Sequence, residues 1–88
     1  MKLKDKVALI TGCATGIGRS TALLFSKEGA KVVLADISQD AEETAQEIRE
    51  SGGNAVFVQG DVSVASDAQK MVDTANESYG SINILHNN

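Results

Sequence analysis

Proline is absent from this 88-residue chain, cysteine and histidine occur once each, and aromatic residues make up only 3% of it. A lone Cys13 excludes an internal disulfide, and a lone His86 without a second Cys or His nearby gives no metal-ligand spacing. No metal site is expected, and a single thiol fits a reducing compartment. Basic residues are also few, with 8 Lys and Arg against 12 Asp and Glu and a net charge of -4. No basic cluster is present to neutralise phosphates, which argues against a nucleic-acid partner. No apolar run approaches the roughly 20 residues of a membrane span. Lys2, Lys4 and Lys6 precede apolar Val7 to Ile10, but that run is too short for a secretory signal and breaks at Thr11-Gly12. The expectation is a cytoplasmic chain with neither a membrane nor a nucleic-acid partner.

What remains, 42% hydrophobic and 23% charged residues, is the composition of a globular domain. A domain of this size buries roughly 60-65% of its unfolded surface, so its stability margin is small. Short β-rich runs alternate with longer amphipathic stretches, and Gly, Asp and Ser stand at the joints. Lys6 to Ile10 reads as a strand buried on both faces. A helix follows from about Ile17 to Glu28, with Ile17, Thr21, Leu24 and Phe25 on one face and Gly29 as its cap. Lys31 to Ala35 gives a second strand. Ser38 offers an N-cap for a helix whose first turn carries Asp40, Glu42 and Glu43 and whose buried stripe is Ala41, Ala45 and Ile48. Ala55 to Val58 reads as a third strand. Ser63 then caps a helix with Ala68, Met71, Val72, Ala75 and Tyr79 inward, Gly80 ends it, and Ile82 to Leu85 form a fourth strand.

Right-handed crossovers place these four strands in one parallel sheet of order 3-2-1-4 with three helices, the N-terminal half of a doubly wound α/β fold. No linker or repeat divides residues 1-88, and the last strand ends with the chain. A single partial domain is expected, cut rather than completed.

The stretch that carries chemistry is Thr11-Gly12-Cys13-Ala14-Thr15-Gly16-Ile17-Gly18, between the first strand and the first helix. Three glycines there allow a sharp turn, close approach of a pyrophosphate and tight helix-strand packing, while the helix N-terminus offers free N-H groups. A plain tight turn is the competing reading. The spacing Thr-Gly-x-x-x-Gly-Ile-Gly resembles the cofactor signature of the short-chain dehydrogenase/reductase family, and the resemblance spans the chain. It implies a Rossmann-like dinucleotide-binding domain over residues 1-88, with Gly12, Thr15, Gly16, Ile17 and Gly18 at the cofactor.

Further matches extend the likeness. Asp36, with Ile37 beside it, ends the second strand 18 residues beyond Gly18, where a carboxylate can accept hydrogen bonds from ribose hydroxyls. An acid there suits NAD, and Thr15 agrees, since NADP-preferring relatives often place a basic residue at that position. Capping of the next loop is the alternative for Asp36. Asp61-Val62 is similar to the family pair that faces the adenine, with an N-cap role as the alternative. Asn87-Asn88 is similar to the start of the family's Asn-Asn-Ala-Gly motif, whose first member lies beside the adenosine ribose. Two positions depart from the pattern: Asn83 stands where Asp is usual, and His86 where an apolar residue is usual. His86 reads as a half-buried strand residue, Cys13 as a variable loop position, and Arg19 as solvated or structural.

The resemblance implies that the complete protein is an NAD-dependent oxidoreductase, moving a hydride to or from an alcohol or ketone, and a homo-oligomer. The family's proton-transfer Tyr and Lys, helped by Ser and Asn, have no match here. Tyr79, the only tyrosine, is followed four residues on by Asn83. No catalytic residue is therefore assigned, and residues 1-88 alone are expected to be inactive. Two other readings stand beside this one: a non-catalytic nucleotide-binding or assembly fragment, and an S-adenosylmethionine-dependent methyltransferase fragment, whose glycine spacing fits poorly.

Overall fold

The computed structural model describes residues 2-87. In chain order these form β1 (Val7–Thr11), α1 (Gly16–Lys27), β2 (Lys31–Asp36), α2 (Ala41–Glu50), β3 (Asn54–Gln59), α3 (Ala65–Tyr79) and β4 (Ile84–His86). All three strand pairings are parallel, and the order is β3-β2-β1-β4. That is the expected order 3-2-1-4 with three helices.

The two-residue period of the strands sorts their side chains between two cores. Ala8 and Ile10 of β1, Val32 and Leu34 of β2 and Ala55 of β3 join one cluster with Ala22 of α1 and Ala41, Ala45 and Ile48 of α2. The alternate residues Leu9, Val33, Ala35 and Val58 join the other, with Met71 and Ala75 of α3. Hence α1 and α2 cover one face of the sheet and α3 the other. Every residue of β1 is buried, as a central parallel strand requires. Burying a side chain such as Ile10 or Leu34 contributes about 1.5-3 kcal/mol, so the centre of the sheet carries most of the stabilisation.

Several local expectations are corrected. The inward face of α1 is Gly18 and Ala22, with Leu23 and Phe25 half-buried beside them. Ile17 is 78% and Leu24 55% exposed. The fully buried positions of α1 are thus its small residues, while Ile17 and Leu24 turn outward. Ser63 does not cap α3, since its own N-H and hydroxyl both donate to Asp61 Oδ1 and Val64 is the N-cap. Ser38 accepts the N-H of Asp40 at 3.1 Å, one residue before α2, whose N-cap is Asp40. The fourth strand is shorter and later than expected. Asn83 precedes it and binds Val7 twice, its N-H to the carbonyl and its Oδ1 from the N-H, both at 2.8 Å. An asparagine side chain thus replaces one rung of the ladder.

Candidate functional site

Parallel pairing brings the C-terminal ends of all strands to one edge of the sheet. Thr11 is level with Ala35, and Asp36 with Gln59. The loops that leave these ends enclose a cleft of about 150 Å³ whose walls include Gly12, Asp36, Ile37, Asp61 and Val62. Five residues singled out from the sequence therefore meet in one place. Thr11, Ala35, Gly60 and Met71 complete the lining and were not assigned to the site from the sequence. Met71 falls on the core stripe of α3, where periodicity marks burial but not that one end of the side chain reaches a cleft.

The glycine turn joins β1 to α1. Gly12 and Gly16 have φ of 64° and 62°, the left-handed region where a β-carbon is strained. A β-carbon built on Gly16 would meet nothing within 4 Å, so the space beyond it is open. Thr15 is the extended N-cap of α1 and gives no side-chain cap bond. The first ladder bond runs from the Arg19 N-H to the Thr15 carbonyl, so the N-H groups of Gly16, Ile17 and Gly18 precede it. No acid stands in that first turn, in contrast to Glu42 and Glu43 in α2. The positive end of the α1 dipole is therefore uncompensated by side chains of its own first turn.

Asp36 faces this turn. Its Oδ2 accepts the Ala14 N-H at 3.1 Å and its Oδ1 the Ser38 N-H at 2.8 Å. Asp36 thus holds the adjoining loops, as the loop-capping alternative expects, and also lines the cleft. A carboxylate has about four lone-pair sites, so roughly two remain for hydroxyl donors. Beneath the turn Cys13 is fully buried, its thiol donating to the Ala35 carbonyl at 3.5 Å. Burial first, and then the Asp36 charge, push that thiol up to about 12. It stays protonated near neutrality.

Asp61 lines the same cleft as Gly12 of the turn. Ser63 donates to its Oδ1 through hydroxyl and backbone at 2.7 and 2.9 Å, and these bonds hold the carboxyl below the usual carboxylate range. The Asp61 N-H is itself taken by Asp67 Oδ2 at 2.9 Å. Ile37 is 65% and Val62 46% exposed, so two apolar side chains stand at the cleft. At the end of β4, Asn87 Oδ1 accepts the Thr11 hydroxyl at 2.7 Å, which ties that amide to the first strand. Asn88 lies outside the described residues.

The remaining candidates stand apart. His86 is half-buried in β4 and level with Ile10, its ring edge-on to Phe25 at 6.0 Å between centroids. Tyr79 ends α3 beside Lys31, whose Nζ lies 5.9 Å from the ring centre. Lys31 is the first residue of β2 and Asp36 the last, so Tyr79 lies at the opposite edge of the sheet from the cleft. Partial burial raises its phenol above the ordinary value. Arg19 pairs with Glu47 of α2, the structural role read for it. A larger groove of about 500 Å³ lies between α1 and α2, with Leu23, Ser26, Ile48 and Gly53 in its walls. It is lined by the flanks of the two helices and the turn after α2, and lacks the β1-α1 glycine turn and the strand-end carboxylates. Among the described residues no helix is long and apolar enough to cross a membrane.

A parallel sheet of this order, with a glycine turn under a helix N-terminus and an acid at the next strand end, defines a Rossmann-like α/β half-fold. The chain belongs to the short chain dehydrogenase family, whose model matches residues 6-88. It is 44% identical to an uncharacterized oxidoreductase of Thermotoga maritima, covering 100% of this chain and 35% of that protein. It is 48% identical to a mitochondrial borneol dehydrogenase of Lavandula x intermedia, over 99% of this chain and 32% of the relative. Among solved structures, a hydroxysteroid dehydrogenase from Escherichia coli superposes with a TM-score of 0.94 at 34% identity, covering 98% of this chain and 37% of that one. The chain thus spans about a third of the length of these relatives.

Proposed function

We propose that residues 1-88 are the NAD-binding portion of an oxidoreductase that, when complete, transfers a hydride between NAD(H) and an alcohol or ketone. The observation that carries this reading is the Asp36 carboxylate, lining the cleft at the end of β2 with lone pairs to spare. Ribose hydroxyls can donate to it. A 2'-phosphate about 4 Å away would be repelled by roughly 4 kcal/mol at an effective dielectric near 20, which favours NAD over NADP. Thr15 supplies no compensating cation.

The rest of the site fits the same ligand. The N-H groups of Gly16, Ile17 and Gly18 receive the pyrophosphate, Gly12 lets the backbone approach it, and the open space beyond Gly16 accommodates it. Ile37 and Val62 offer apolar contact to the adenine, with Asp61 holding the Val62 loop; Asn87, tied to Thr11 of the cleft wall, is the residue that the family likeness assigns to the ribose. Bound NAD supplies the hydride acceptor. The names of the relatives, a borneol dehydrogenase and a hydroxysteroid dehydrogenase among them, support an alcohol-ketone couple.

Among the described residues no Tyr, Lys or His lines the cleft, and on this reading residues 1-88 bind the nucleotide without turning over. A homo-oligomer and a cytoplasmic setting complete the reading; exposed Ile17, Leu24 and Leu85 support burial against more protein. Calorimetric titration of the complete protein with NAD, NADP and S-adenosylmethionine tests it. NAD should bind at least tenfold more tightly than either of the others, about 1.4 kcal/mol. Equal or tighter binding of S-adenosylmethionine would overturn it.

A further inference from the structure

The buried stripe of α2 contains one polar residue. Thr44 stands among Ala41, Ala45 and Ile48, is 1% exposed, and donates its hydroxyl to the Cys13 carbonyl at 3.2 Å, across 31 residues of sequence. The Cys13 carbonyl and the Ala14 N-H belong to one peptide unit, which is planar and rigid. Its oxygen is held by Thr44 on one side, and its N-H is held by Asp36 Oδ2 at 3.1 Å on the other. The tilt of that plane is therefore set from α2, and it fixes where the Ala14 N-H meets the carboxylate. It also keeps the Cys13 oxygen pointing into the protein, away from any anion held by the turn, which an exposed carbonyl would repel. Glu47, three residues beyond Thr44, pairs with Arg19 of α1, so α2 grips both the turn and the helix that follows it.

We propose that Thr44 is a positioning residue for the dinucleotide site, acting through the Cys13-Ala14 peptide to fix the Asp36 carboxylate, and so contributing to the choice between NAD and NADP. This rests on the NAD reading given above. Its mark is a change in the ratio of two affinities, because a hydroxyl that merely stabilised the fold would weaken both dinucleotides alike.

The experiment compares Thr44→Val and Thr44→Ser in the complete protein by two readouts: exchange of the Ala14 amide proton without nucleotide, and calorimetric affinities for NAD and NADP. In Thr44→Val the Ala14 amide should exchange about tenfold faster, and the NAD to NADP affinity ratio should fall by about fivefold or more. Thr44→Ser, which keeps the hydroxyl, should restore both. An unchanged ratio and unchanged exchange in folded Thr44→Val, or failure of Thr44→Ser to restore them, would overturn the proposal. If Thr44→Val does not fold, Thr44→Ala read against Thr44→Ser carries the same two expectations. If the wild-type protein binds neither dinucleotide the NAD reading fails with the specificity role, while the Ala14 exchange still decides whether Thr44 orders the turn.

Discussion

The backbone N-H of Ala14 meets the carboxylate of Asp36 at 3.1 Å, joining the turn after β1 to the end of β2. The two halves of the proposed nucleotide site, glycine turn and strand-end acid, are thus one connected unit. A substitution in either half is expected to be felt by the other.

Gly16→Val should abolish NAD binding in the complete protein while the strands remain formed. At φ 62° a β-branched residue is strained by roughly 1-2 kcal/mol, and its side chain enters the open space assigned to the pyrophosphate. Calorimetry on a variant whose circular dichroism matches the wild type checks this. Unchanged affinity would remove Gly16 from the site.

Asp36→Ala, alone or with Ile37→Arg, should shift preference from NAD toward NADP by at least tenfold, about 1.4 kcal/mol. The alanine removes the repulsion, and the arginine adds a cation next to it in sequence. The Ala14 and Ser38 N-H groups also lose their acceptor, so some loss of stability is expected in both variants. A constant ratio of the two affinities would show that Asp36 does not face the ribose.

How far these positions could be read in advance depended on whether the signal was local. Strand order, the inward alternation of Ala8, Ile10, Val32 and Leu34, and the gathering of Asp36 and Asp61 at one edge follow from periodicity and the handedness of crossovers. The face of α1 differs from the expectation because Ile17 and Leu24 are apolar at helical spacing, whereas the residues fully buried against the core are the small Gly18 and Ala22. Thr44 was missed although Ala41, Thr44, Ala45 and Ile48 share one helix face. Its sign was polarity on an apolar stripe, but its partner, Cys13, is 31 residues away. The Thr11 hydroxyl bond to Asn87 spans 76 residues and likewise has no local signature.

The buried Cys13 thiol should make stability fall in alkali. Its pKa is raised from 9.0 to about 12, so below pH 9 the thiol is protonated in both folded and unfolded chains and contributes no slope. Between about 9 and 12 the unfolded chain ionises first and is favoured. Urea midpoints at pH 7.5 and pH 10 should therefore drop further for the wild type than for Cys13→Ala. Equal drops would mean that the thiol is not held protonated by the fold.

Residues 1-88 alone should show no NADH oxidation against a panel of ketones. Carbonyl reduction needs a proton donor within hydrogen-bond reach of the substrate oxygen. Tyr79 lies beside Lys31 at the far edge of the sheet, and His86 is engaged with Phe25. Turnover above background that vanishes in Tyr79→Phe or His86→Ala would make that residue catalytic.

The most direct test is to map amide chemical shifts of the complete protein as NAD is added. Perturbations should concentrate at Gly12 to Gly18, Asp36, Ile37, Asp61, Val62 and Asn87, around the cleft at the strand ends. Perturbations centred instead on Leu23, Ser26, Gly52 and Gly53, in the larger groove between α1 and α2, would place the nucleotide elsewhere and contradict the proposed site.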